Sequence, residues 1–109
     1  MSGYFPEPSQ CSYHDIFPGV RVQTCSGDSM MLSLAVLQPH SVVEAHSHPH
    51  EQVGMVIEGR AVFQVGDEEK TLAPGDMYCI PGNVTHRVVA LDSTVKALDI
   101  FHPIREDYR

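Results

Sequence analysis

Seven histidines stand in this chain, and four of them, His40, His46, His48 and His50, fall within eleven residues. On extended backbone, side chains alternate between faces, so His46 and His48 present their rings on one side. Two neutral imidazoles a few ångströms apart are half of a site for a first-row or zinc-group ion. Gln52 is four residues beyond His48, past the kink at Pro49, and can add an oxygen; Glu51 is the alternative one residue earlier. His86 follows the turn Pro81-Gly82-Asn83 and opens a new strand, which makes it the candidate third imidazole. A lone histidine on a strand is more often a packed or solvated side chain than a ligand, and spacing alone leaves both readings open. His14, His40, His50 and His102 are assigned surface or supporting positions.

A second constellation lies near the C-terminus. The run VKALDIF (95–101) puts Asp99 and Phe101 on one strand face and Leu98 and Ile100 on the other. A carboxylate among apolar neighbours is costly unless it is paired, ligated or solvated. Asp99 is therefore either outward and wet or held in a polar cavity. Arg105 follows past Pro103.

These groups need a frame, and the chain spells one out in short apolar runs. MMLSLAVL (30–37), VGMVI (53–57), AVFQV (61–65), KTLA (70–73), MYCI (77–80), RVVAL (87–91) and VKALDIF (95–101) are separated by Gly, Pro and Asp signals. Turns every eight to twelve residues mark an all-β sandwich or barrel. So many short strands leave many edges, which a closed barrel or a double-sheet jelly roll removes or limits. No stretch carries a sustained helical period. The tail HPIREDYR carries at most a short turn.

The 109 residues suffice for one core and not for two. Residues 1–13, with Pro6, Pro8 and several serines, read as an N-terminal arm, and 14–109 as a single domain. The net charge of -7, without a basic cluster, argues against nucleic acid or an anionic membrane as partner. No apolar run is long enough to span a bilayer, and the polar start lacks the basic and apolar regions of a secretory signal, so a cytoplasmic address is expected. Cys11, Cys25 and Cys79 are odd in number, widely spaced and expected to be reduced. A barrel this small, with Tyr4 and Phe5 on its arm, is expected to be a homodimer in which the arm or an edge strand crosses to the partner.

The segment His46-Ser47-His48-Pro49-His50-Glu51-Gln52, six residues before Gly59, resembles the first motif of the cupin superfamily, G-x5-H-x-H-x3,4-E-x6-G. Gly75-DMYCI-Pro81-GNVT-His86 resembles the second, G-x5-P-x-G-x2-H-x3-N. The resemblance implies an all-β cupin (jelly-roll) barrel holding one divalent metal ion (Ni, Zn, Fe, Mn or Cu) on His46, His48, Gln52 and His86. Three departures stand out. The opening glycine of the first motif is His40, the motif-two glycine is Asn83, and the glutamate position is Gln52. Asn is the commonest non-glycine residue in a left-handed turn, so the turn geometry can survive. A neutral amide leaves the ion its full charge, which favours an anionic ligand and Lewis-acid chemistry.

The HSHPHEQ segment and the tail LDIFHPIREDY together are similar to the KdgF-like group of small cupins. That similarity implies ring opening of 4,5-unsaturated uronates, from pectin or alginate breakdown, to the linear keto acid. It carries a D-x-F-x3-R pattern onto Asp99, Phe101 and Arg105, with Asp99 as acid or base, Arg105 as the carboxylate clamp and Phe101 as a cavity wall. The partner expected is thus a small anionic sugar acid. Two alternatives stand beside it: a cupin dioxygenase, and a non-catalytic cupin that binds a sugar acid or a metal.

Overall fold

The computed structural model describes residues 4–109, and among them the regular structure is ten strands and two short 3-10 turns. The strands are β1 (Ser12–Phe17), β2 (Val20–Ser26), β3 (Met31–Leu37), β4 (Val42–His46), β5 (Glu51–Glu58), β6 (Ala61–Val65), β7 (Glu68–Leu72), β8 (Met77–Ile80), β9 (His86–Ala90) and β10 (Val95–His102). They form two antiparallel sheets, ordered β1-β2-β3-β10-β5-β8 and β4-β9-β6-β7. The fold is the all-β double-sheet barrel that the turn spacing predicts.

Each of the seven apolar runs is a strand, displaced by a residue or two at its ends. β1, β2 and β4 are additional. SYHDIF and VRVQTCS mix polar residues into their outer positions, which hides them among loops in a search for apolar runs. β1 also begins inside the expected arm: Ser12 and Tyr13 pair with Thr24 and Gln23, so the arm is shorter than 1–13. Its first three residues lie outside the described ones. Pro8–Gln10 forms a 3-10 turn, and Tyr4 and Phe5 are exposed.

Alternation makes the core. In β3 the inward residues Met31, Ser33, Ala35 and Leu37 are buried, as are Val95, Ala97, Asp99 and Phe101 of β10. Met31, Leu37, Val20, Val56, Ile80 and Val95 fill the centre. His40 and Asn83 adopt left-handed φ of 65° and 66°. Both occupy positions where the cupin motifs carry glycine, so the two departures keep the backbone that a glycine would supply.

Candidate metal and acid-base site

His46 ends β4 and His86 begins β9, and the two are direct partners across that ladder. His48 lies two residues past β4, in a loop whose carbonyl accepts the Asn83 N–H at 2.7 Å. That bond ties the first histidine segment to the turn ahead of His86. The ligand atoms of His46, His48 and His86 lie within 4.8 Å of one another, a grouping able to hold a metal ion.

The orientation of each ring is set by the backbone. His46 Nδ1 donates to Glu44 O at 2.8 Å, His86 Nδ1 to Val84 O at 2.9 Å and His48 Nδ1 to His50 O at 3.0 Å. A carbonyl can only accept, so each Nδ1 carries the proton and each Nε2 keeps a bare lone pair. Gln52, buried on β5, brings Oε1 to 3.1 Å from His48 Nε2. With Nδ1 protonated these are two acceptors face to face, an arrangement that a shared cation resolves. The donor set, three imidazole nitrogens and an amide oxygen, therefore fits a divalent transition ion. Glu51, the neighbour weighed as an alternative, is exposed. Burial, with Arg105 and His86 nearby, brings His48 down to about 4, and burial lowers His86, so both rings stay neutral and able to ligate at neutral pH.

The opposite wall is carboxylate chemistry. Asp99 faces inward, buried, and its Oδ1 accepts a hydrogen bond from the Tyr78 hydroxyl. Burial pushes Asp99 up to about 6, although Tyr78, Gln52 and Arg105 all favour its charged form. Tyr78 is raised by its own burial and by the neighbouring Asp99. Gln52 thus has two neighbours: its oxygen is turned to His48, and its amide N–H favours the Asp99 carboxylate. Arg105 is buried, lies 3.9 Å above the Tyr108 ring and 5.2 Å from that of Phe101, and donates from Nη2 to Asp107 at 2.9 Å. The C-terminal 3-10 turn, Glu106–Tyr108, positions it, and the Tyr108 carbonyl is held by the Thr24 hydroxyl.

One cavity thus gathers His46, Gln52, His86, Asp99, Phe101 and Arg105, with His48 packed on Phe101 at its edge. Two members escape sequence reading. Tyr78 sits in MYCI, where alternation marks it as inward but not as polar-partnered. Gly54 pairs with both Asp99 and Tyr78 across β5, and a Cβ there would run into Asp99 Oδ1 and the Tyr78 ring. The missing side chain is the space in which their hydrogen bond forms.

A double-sheet barrel with a three-histidine centre at one end defines a class of metal-binding β-barrels. Residues 33–101 match the cupin domain family (Cupin_2), and the chain belongs to it. It is 36% identical over 100 residues to the H2HPP isomerase of Bacillus subtilis, covering 89% of this chain and 41% of that protein. The chain therefore spans less than half the length of that relative. Among solved structures it resembles an RmlC-like cupin from Shewanella frigidimarina, with TM-score 0.87 and 28% identity over 97% of this chain and 96% of that one. It also resembles KdgF from Halomonas sp., with TM-score 0.85 and 27% identity over 97% and 98% of the two chains.

Proposed function

We propose that this cupin is a metal-dependent isomerase that opens the ring of 4,5-unsaturated uronates to the linear keto acid. The observation that carries the reading is Asp99, a carboxylate enclosed in the same cavity as three convergent imidazoles and Arg105. The likeness to KdgF and the 36% identity to an isomerase support it over an oxygenase.

The reaction is redox-neutral. The C1–O bond of the cyclic hemiacetal breaks, its electron pair passes to the ring oxygen, and C1 becomes a carbonyl as its hydroxyl proton leaves. The enol so formed at C5 becomes a ketone when C4 gains a proton. His46, His48, Gln52 and His86 would hold the ion, which when bound favours negative charge on oxygen. Arg105 clamps the substrate carboxylate, its guanidinium fixed against Tyr108 and Phe101. Tyr78 occupies Asp99 Oδ1, which leaves Oδ2 to deliver the proton to C4. The Phe101 ring walls the cavity and keeps water from that carbon.

The test is the alkene absorbance of unsaturated galacturonate on addition of metal-loaded protein. It should fall rapidly and without oxygen uptake. Folded, metal-replete protein that leaves the absorbance at the buffer rate sinks the proposal.

A second reading rests on the cavity walls. Ile16, Val22, Leu37, Val43, Phe63 and Val88 line the space beside the polar cluster, an apolar surround for a polyol. Together with the identity to the H2HPP isomerase, this favours an isomerase substrate with an apolar body as the alternative. The same residues would serve it, and direct competition between the two substrate classes decides.

A further inference from the structure

Arg105 is gripped along one edge. Its Nε donates to Asp107 Oδ1 at 3.3 Å and its Nη2 to Asp107 Oδ2 at 2.9 Å, and among the described residues no other carboxylate pairs with it. Two N–H groups on one side of the guanidinium thus meet both oxygens of a single carboxylate. The end-on fork, Nη1 with the second N–H of Nη2, is claimed by no carboxylate. The two side chains differ in exposure, 10% for Arg105 and 59% for Asp107. Asp107 therefore holds the pair from the solvent side, while Arg105 lines the cavity with His46, His86 and Asp99.

Asp107 is itself fixed by contacts that do not use its side chain. It is the middle residue of the turn Glu106–Tyr108. The Tyr108 N–H donates to Arg105 O at 3.0 Å, and the Tyr108 carbonyl accepts from the Thr24 hydroxyl of β2. The buried Tyr108 ring stacks on His14 of β1 and meets Phe101 edge-on. The turn is thus anchored to β1, β2 and β10 on both sides of Asp107. Partial burial acts to raise the Asp107 carboxyl, but the bonds from Arg105 hold it below its ordinary range, so it is an anion at neutral pH.

We propose that Asp107 is a positioning residue for substrate binding: it holds the Nε edge of Arg105 so that the Nη1–Nη2 fork faces the cavity and meets a uronate carboxylate end-on. The proposal rests on the reading of Arg105 as the carboxylate clamp. A free arginine side chain gives up rotamer freedom when it binds, and the grip of Asp107 takes that loss before the ligand arrives. Solvent screens the exposed Asp107 charge, which leaves the cavity side of the guanidinium attractive to a second anion.

Calorimetric titration with galacturonate, a saturated uronate with the same carboxylate and no alkene to react, reads this step apart from ring opening. In metal-loaded protein, Asp107→Asn should raise the galacturonate dissociation constant by about 3- to 10-fold, the ordering cost of one long side chain, with metal content and strand spectrum unchanged. KM for unsaturated galacturonate should rise by the same factor, with kcat within about twofold of wild type. Arg105→Ala should weaken binding at least as much, and Asp107→Asn added to it should weaken binding no further, because Asp107 acts only through Arg105. Asp15→Asn, which breaks the exposed pair with Arg21, should change nothing. Unchanged binding by Asp107→Asn overturns the proposal, and so does tighter binding, which would make Asp107 a competitor of the ligand. A loss of equal size in the Arg105→Ala background also overturns it, since the effect would then belong to the turn. If the alkene of unsaturated galacturonate persists while galacturonate binding follows the expected pattern, the ring-opening reading falls and the role of Asp107 stands.

Discussion

The two sheets of this barrel supply opposite halves of one site, and they hold their halves by different means. The four-stranded sheet and its loops present His46, His48 and His86, each aimed by an Nδ1–H bond to a main-chain carbonyl two residues away. Local backbone shape suffices to orient them. The six-stranded sheet presents Gln52, Tyr78 and Asp99 from three neighbouring strands, β5, β8 and β10, and these residues orient one another. The imidazole half is therefore modular, whereas the carboxylate half depends on register across the sheet. Loss of Tyr78 or Asp99 should disturb the companions of this half while leaving metal content intact.

The largest expected effect tests the modular half. His46→Ala, His48→Ala or His86→Ala should each remove most of the bound metal and bring ring opening to the buffer rate. Gln52→Ala should lose less, since water can replace a neutral amide. Metal analysis after dialysis is the measurement, and full retention in any of the three histidine variants would contradict the assignment.

Next in size is Asp99→Asn, which should lower turnover by roughly 10²–10⁴ with normal metal, as expected for a positioned proton-transfer group. Arg105→Ala should instead act mainly on KM, because its contact with the carboxylate exists before and during reaction. Equal effects of the two variants on kcat would merge roles that the geometry separates.

Tyr78→Phe is a finer probe of mutual support. It removes the hydrogen bond to Asp99 Oδ1, worth ~1.5–3 kcal/mol when the acceptor is charged, so activity should fall about 10- to 100-fold with metal unchanged. Activity at the wild-type level would mean that Asp99 is held without help from β8.

The smallest effect separates the halves by pH in metal-free protein. Asp99 has a folded value of about 6 against an ordinary 3.8, so its contribution favours the fold at low pH and is lost as pH rises through 6. The two-unit gap corresponds to about 3 kcal/mol at pH 8. His48, at about 4 against 6.5, runs the other way and costs stability as pH falls from 6.5 toward 4. Asp99→Asn should therefore raise the unfolding temperature relative to wild type at pH 8 and lose that advantage by pH 4. A difference independent of pH would show that Asp99 does not titrate in this range.

The same division explains what could be read from the sequence. The imidazole half is written locally: His46 and His48 are two residues apart, and the turn before His86 is marked by Pro81 and Asn83. That Asp99 and Phe101 share one side of β10 was equally legible, because strict alternation in VKALDIF assigns them together, but only burial decides which side faces inward. Tyr78 and Gly54 were not legible as site residues. Their roles depend on pairing between β5, β8 and β10, strands far apart in the chain, and no local pattern records that register. β1 and β2 were hidden because their outward positions are polar, so apolar runs break up although the inward residues Val20, Val22 and Thr24 are regular.

Gln52 has a consequence for which sequences this site admits. Its oxygen is turned to the ligand cluster, and its amide favours the charged form of the Asp99 carboxylate. A carboxamide serves both neighbours at once because one end accepts and the other donates. A glutamate in the same place would set two carboxylates against each other in an enclosed space, and one would have to carry a proton. Positions 52 and 99 are therefore a coupled choice: an acidic residue at one asks for a neutral residue at the other. Gln52→Glu should be tolerated better with Asn at position 99 than with Asp, although neither single exchange touches the fold's apolar core.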